Sequence, residues 1–526
     1  MGKSKEERAA EEAAHLEAMG QKQELHKNFS FLSLLGLAFA ILNSWTALSV
    51  SMQVSLPSGG PSSVIWGLIT AGVGNLCVSL SLGEFLSAYP IASGQYYWTA
   101  CVCPPKYRGF MSYFVGWLSA GGWVAMNATG PLLGSQLITG LIYIMDKTYE
   151  PQRWQQFCLY LAFAFIGFFV NVFGNRLLPI IDKVAFYWSL TGFIMTSITV
   201  LACASPEYPT GTWVYTRFVN ETGWPNGFAW LLGLLQGAFG LAAYDSVAHM
   251  IEEIPKPRKQ GPLVMVCAVL IGIMTGFLFL SSVLFGSGGE RNLQSLIDAA
   301  SETALITIYE IATNNRAGAV CLTMFPLICM VFTTTSLFTA SSRMVYAFAR
   351  DDGLFFSKDL AKVDKHLHSP VNALCLSLVG VIIFGCVYIG SASAFNAISS
   401  AAVVWLNLSY IIPIGVNLFS GRKLLPDRPF RLPNTLGYLL NIVGLLYVTL
   451  TTVLFHFPPF LPVTGDNMNY CVVAFAILEI LCLGWWLLYA MRHYKGPAVE
   501  GIMPGTAPGK QPDEMLVTKA DGEKPF

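Results

Sequence analysis

Gly36-Leu37-Ala38-Phe39-Ala40-Ile41-Leu42-Asn43-Ser44-Trp45 and Gly237-Ala238-Phe239-Gly240-Leu241-Ala242-Ala243-Tyr244-Asp245-Ser246 share one pattern, with Asn43-Ser44 and Asp245-Ser246 202 residues apart. Each stretch sits in a strongly apolar run and sets glycine and small residues ahead of a polar pair, Asn43-Ser44 or Asp245-Ser246. Such a pair favours a helix N-cap, so both stretches predict a membrane helix that unwinds and restarts. Corresponding breaks in two halves of one chain point to a binding site near the bilayer midplane.

The rest of the chain supplies the membrane. Of 526 residues, 54% are apolar and 12% charged, with a mean hydropathy of +0.54, which excludes an array of soluble domains. Apolar runs long enough to cross a bilayer begin near Phe31, Val64, Phe110, Gln155, Pro179, Gly227, Pro262, Gly318, Val371, Phe395, Thr435 and Tyr470. The expectation is therefore an all-α polytopic membrane protein with twelve transmembrane helices between residues 29 and 494. It is preceded by a cytoplasmic tail (1–28) and followed by a disordered one (495–526).

Net charge is zero, so only the placement of charge informs, and nucleic acid is not an expected partner. With both termini cytoplasmic, the outer loops hold only Lys147, Arg153, Arg217, Arg291 and Arg316 of the 31 basic residues, and the positive-inside rule fixes that orientation. The sequon Asn220-Glu221-Thr222 then falls in an outer loop, where Asn220 is a candidate glycosylation site. The twelve cysteines are scattered, and no metal site or cofactor is expected.

Asp245 is the most informative residue. An ionisable group inside a membrane span costs about 2.5–3.5 kcal/mol on insertion scales unless it has a partner or a wet cavity. Two readings are open: Asp245 contacts a solute or carries a coupling proton, or it caps the restarted half helix. His249, one turn on, is a relay partner or a packed histidine, and Glu252 with Glu253 gate the mouth or anchor it against nearby bases. In the eighth span Thr334 and Thr335 either ligate a solute or ion, or bond back to their own helix. Trp45, Trp117, Trp123 and Tyr244 are candidates for an aromatic box around an ammonium.

Gly83-Glu84-Phe85 followed by Tyr89-Pro90-Ile91-Ala92-Ser93-Gly94-Gln95-Tyr96-Tyr97-Trp98 resembles a signature of the amino acid, polyamine and organocation permeases, with Ser93 in place of a second glycine. Together with Tyr244-Asp245-Ser246-Val247-Ala248-His249-Met250-Ile251-Glu252-Glu253, Glu221-Thr222-Gly223-Trp224-Pro225-Asn226-Gly227 and the stretch from Phe457 to Tyr470, the chain resembles fungal choline and amino acid permeases. The resemblance implies a LeuT-like five-plus-five inverted repeat (about 31–203 and 227–419) plus two peripheral helices (about 435–494). It also implies a plasma-membrane, proton-driven symporter whose substrate lies between spans 1 and 6 and faces spans 3, 8 and 10. By position, the substrate contacts would be Asn43, Ser44, Trp45, Phe239, Gly240, Tyr244 and Asp245, with Trp123.

The resulting expectation is secondary active transport of a small organic amine such as choline, an amino acid, 4-aminobutyrate or a polyamine, with a proton as coupling ion and the bilayer as the other partner. Two alternatives stand beside it: carriage of a fungal secondary metabolite, and a transporter-like nutrient sensor with little flux. No enzyme motif is present, neither a nucleophile elbow nor a phosphate loop.

Overall fold

The computed structural model describes residue 17 and residues 29–299, 304–465, 467–494, 496, 497 and 499. The expected cytoplasmic tail (1–28) and the disordered tail therefore lie almost entirely outside the described residues. Among the described residues, eleven helices are long and apolar enough to cross a bilayer: Phe31–Val54 (span 1), Gly60–Ala88 (span 2), Pro105–Met145 (span 3), Arg153–Phe173 (span 4), Asn175–Ala204 (span 5), Pro257–Gly286 (span 7), Arg316–Arg350 (span 8), Val371–Gly390 (span 9), Ser399–Phe419 (span 10, whose helix starts at Ala392), Asn434–Leu454 (span 11) and Cys471–His493 (span 12). Span 6 completes the twelve. It escapes a length criterion because it is interrupted, running Asn226–Gly240 and resuming at Ser246–His249 with a short turn at Ile251–Glu253.

Both expected breaks are present, and both turn on a left-handed residue that is not glycine. Asn43 (φ 37°, ψ 43°) ends the first half of span 1 and starts the second at Ser44, while Ala243 (φ 66°) lies in the gap of span 6. Asparagine tolerates this region because its short polar side chain bonds locally, whereas an alanine there is strained and must be held by its surroundings. Neither break is closed by the expected side-chain cap. Asn43 and Asp245 occupy the N-cap positions, but neither side chain accepts from a backbone N–H of the new helix, and both are drawn into longer-range hydrogen bonds.

The packing shows the repeat directly. Span 7 runs along both halves of span 1, as span 2 runs along span 6; spans 3 and 10 pack as spans 8 and 5 do; spans 4 and 8 pack as spans 9 and 3 do. Adding five to each span number converts each contact into its partner, and the contacts 2 with 7, 3 with 8 and 4 with 9 map onto themselves. These contacts follow a five-span offset, the pattern expected of the inverted repeats of broken-helix transporters. Spans 11 and 12 lie outside it, span 11 on spans 2 and 10, span 12 on spans 10 and 3.

Candidate functional site

A small cavity lies between the two breaks. Asn43 and Phe239 line it with Ala243, facing Thr129 and Met126 of span 3 and Thr333 of span 8. Its polar geometry is set by Thr333. The Thr333 hydroxyl has a single proton, directed at the carbonyl of Ala40 (2.8 Å) or Cys329 (2.9 Å), so towards Asn43 it can only accept. Asn43 Nδ2 is accordingly the donor to Thr333 Oγ1 (3.0 Å), and Asn43 Oδ1, buried and without a protein partner, remains an acceptor beside the cavity.

Asp245 lies behind this cavity rather than in its wall, and its carboxylate is fully engaged. Gln95 Nε2 (2.6 Å) and Trp123 Nε1 (3.1 Å) donate to Oδ2, and the Tyr410 hydroxyl (2.6 Å) is in hydrogen-bond contact with Oδ1. His249 Nε2 stands 3.1 Å from Oδ2, and its Nδ1 is 2.9 Å from the carbonyl of Ala92. A carbonyl only accepts, so Nδ1 carries a hydrogen. Between Nε2 and Oδ2 there is then one further proton, borne by the imidazole or by the acid, because two bare acceptors would repel at that distance. Trp123 also stands edge-on to the His249 ring at 5.5 Å. A protonatable pair with no solvent exposure is thus tied to span 3, span 10 and the helix after span 2.

Of the expected contacts, the structure brings Asn43 and Phe239 to the cavity and Trp123 to Asp245. Trp45 points elsewhere: its indole N–H donates to Ser189 (2.8 Å) in span 5 and its ring packs edge-on to Phe279 of span 7 at 4.8 Å. Ser44 faces Gly272 of span 7. Gly240 lets span 6 touch Leu48 of span 1, and Tyr244 stacks on Tyr410 at 5.3 Å. With Trp117 packed against Tyr113 and Phe355, the four aromatics do not form a box. Thr334 and Thr335 bond back to Met330 (2.8 Å) and Val331 (2.9 Å), the local use open to hydroxyls in helices. Asn220 donates to Trp224 and Asn226 within its own loop.

Glu252 and Glu253 form a closed layer at the mouth. Arg350 pairs with Glu252 (3.2 Å), which also accepts the N–H of Ala92 (3.0 Å). Arg343 pairs with Glu253 (3.1 Å), whose main-chain carbonyl accepts the N–H of Phe29 (3.2 Å), so the start of span 1 and the end of span 6 are held to span 8 together. The sequence does not single out Gln95 or Tyr410 as partners of Asp245. Gln95 opens a short helix after Gly94 and Tyr410 is one aromatic in an apolar run, and nothing local marks either.

The amino acid permease family profile matches residues 29–478. The chain is 34% identical over 464 residues to a choline transporter of Saccharomyces cerevisiae, covering 88% of this chain and 81% of that one. It is 34% identical over 445 residues to a putative amino acid/polyamine transporter of Macrophomina phaseolina, covering 84% and 97%. A swainsonine transporter of Arthroderma benhamiae is 27% identical over 490 residues, covering 91% and 95%.

Proposed function

This chain belongs to the amino acid permease family, a multi-pass membrane transporter and not an enzyme, and on that premise we propose that it is a proton-coupled symporter of a small amine-bearing solute. It resides in the plasma membrane, and both termini lie in the cytoplasm, an orientation that the distribution of basic residues supports. Under that topology Asn220 is exposed to glycosylation outside.

The observation that carries the reading is the buried Asp245–His249 pair beside the break in span 6. One proton is enclosed between two side chains, and the same carboxylate is bonded to spans 3 and 10. Gain or loss of that proton changes how span 6 is held against its neighbours, which is the link that coupling requires. Asp245 in this arrangement serves the proton and not the amine, since its oxygens are all engaged and it does not line the cavity. The cargo meets Asn43 Oδ1 instead. An isolated acceptor selects a solute with an N–H or O–H donor, and the face of Phe239 suits a cationic centre. Choline, with a hydroxyl and a quaternary nitrogen, and primary amines both meet this demand. Relatives named for choline and for amino acids or polyamines support the same class.

Expression in permease-deficient fungal cells tests the reading, with uptake of labelled choline, 4-aminobutyrate, polyamines and amino acids measured with and without a protonophore. We expect one of these to accumulate and the protonophore to abolish accumulation. Flux that persists when the gradient collapses rejects proton coupling, and absence of flux across the panel rejects the solute class, leaving the metabolite carrier and the sensor.

A further inference from the structure

A second buried acid lies well away from Asp245. Asp182, in the first turns of span 5, is 1% exposed. Its Oδ1 accepts one hydrogen bond, from Ser336 of span 8 (3.1 Å), and Oδ2 has no partner. The backbone closes tightly around it: a Cβ on Gly36 of span 1 would sit 2.3 Å from the Asp182 carbonyl oxygen, so spans 1 and 5 meet main chain to main chain. The charged groups that act on it are Arg343 of span 8 and Glu253 at the end of span 6, while Gly36 of span 1 brings no titratable group.

Arg343 directs three of its five N–H donors elsewhere. Nε donates to Glu253 (3.1 Å), Nη1 to Ser342 (3.3 Å) and Nη2 to Asn175 (2.8 Å). An ionised carboxylate enclosed with a single hydroxyl donor is an uncompensated charge, and such a charge either takes up a proton or recruits a cation. Among the described residues, the cation that acts on Asp182 is Arg343, the one that locks Glu253.

We propose that Asp182 is a proton-binding residue of the cytoplasmic gate. With its proton on, Arg343 stays on Glu253, and spans 1, 6 and 8 are held together as in this structure. When the proton passes from Oδ2 to cytoplasmic water, the carboxylate draws Arg343 from Glu253, and the end of span 6 is released with Phe29. The assignment rests on the transport reading and topology above, and gives the cycle a release site for the proton that Asp245, sealed behind the cavity, does not offer.

Amide hydrogen exchange of the purified protein without solute isolates this step. Exchange across residues 246–259, corrected for intrinsic chemistry, is followed against pH in the parent, in Asp182→Asn and in Asp182→Glu. Release of one proton predicts a rise approaching about tenfold per pH unit below the midpoint and a plateau above it in the parent. Asp182→Asn should be slow and flat at all pH, and Asp182→Glu should show the rise at a displaced midpoint. A flat parent profile overturns the proposal, as does a parent-like rise in Asp182→Asn. If Asp182→Asn does not fold, Asp182→Glu decides, and an undisplaced midpoint there overturns it. Because no solute is present, this result is independent of the uptake panel, and either can fail alone.

Discussion

Tyr410→Phe removes one oxygen and leaves the ring that stacks on Tyr244 in place. The bond it deletes, 2.6 Å from the Tyr410 hydroxyl to Asp245 Oδ1, joins span 6 to span 10. In a carrier of this architecture these elements shift against each other, so a bond between them stabilises one state and not the next. A hydrogen bond to a charged group contributes about 1.5–3 kcal/mol, and the carboxylate oxygen left behind has no other donor. At about 1.4 kcal/mol per decade, the closed state is weakened by about 10- to 150-fold relative to the open ones. Initial uptake rates at matched surface abundance are the assay. Vmax should fall about tenfold or more while KM moves by less than about threefold, because neither Tyr410 nor Asp245 lines the cavity. A Vmax within about twofold of the parent would refute the claim that this contact is made and broken during the cycle.

Other outcomes follow from the same packing. Glu84 is buried between Arg422 (2.5 Å) and Arg428 (2.6 Å) and also accepts the N–H of Leu432 (3.0 Å), so Glu84→Gln leaves two guanidinium groups without their countercharge. Removing one partner of such a group costs about 3–5 kcal/mol, and the variant should melt at a clearly lower temperature in detergent; an unchanged melting temperature contradicts this. A Cβ on Gly240 would lie 2.6 Å from Leu48 Cδ2, so Gly240→Ala should cost about 1–3 kcal/mol of stability with KM unaltered. Raised KM at parental stability would instead make Gly240 a cargo contact.

How much of the site was legible varies from residue to residue, and the reason is reach. Asn43 and Asp245 stand out in the sequence because a polar group in an apolar span is costly wherever the chain folds, and each does mark a break. Their side chains were expected to cap the helices beside them. That expectation considers only near neighbours, and both side chains instead bond partners far away in the chain, Asn43 with Thr333 and Asp245 with Gln95, Trp123 and Tyr410. Trp45 is adjacent to the break, yet one helical step turns it towards spans 5 and 7. Thr334 and Thr335 lie beside Thr333, yet only Thr333 faces Asn43.

Sequence alone determined what depends on transfer from water to lipid and on local backbone chemistry: twelve crossings and two interrupted helices at matching positions. Each of these is a property of a contiguous segment, so composition and spacing suffice. Only the tertiary structure decided which buried polar groups answer one another. It seals Asp245 with His249 outside the cavity wall, leaves Asn43 Oδ1 without a partner in a residue that lines the cavity, and leaves Asp182 on span 5 with a single hydroxyl donor beside the arginine that locks the mouth. Hydrogen bonds are short and directional, so these pairings exist only once helices distant in sequence have been set side by side.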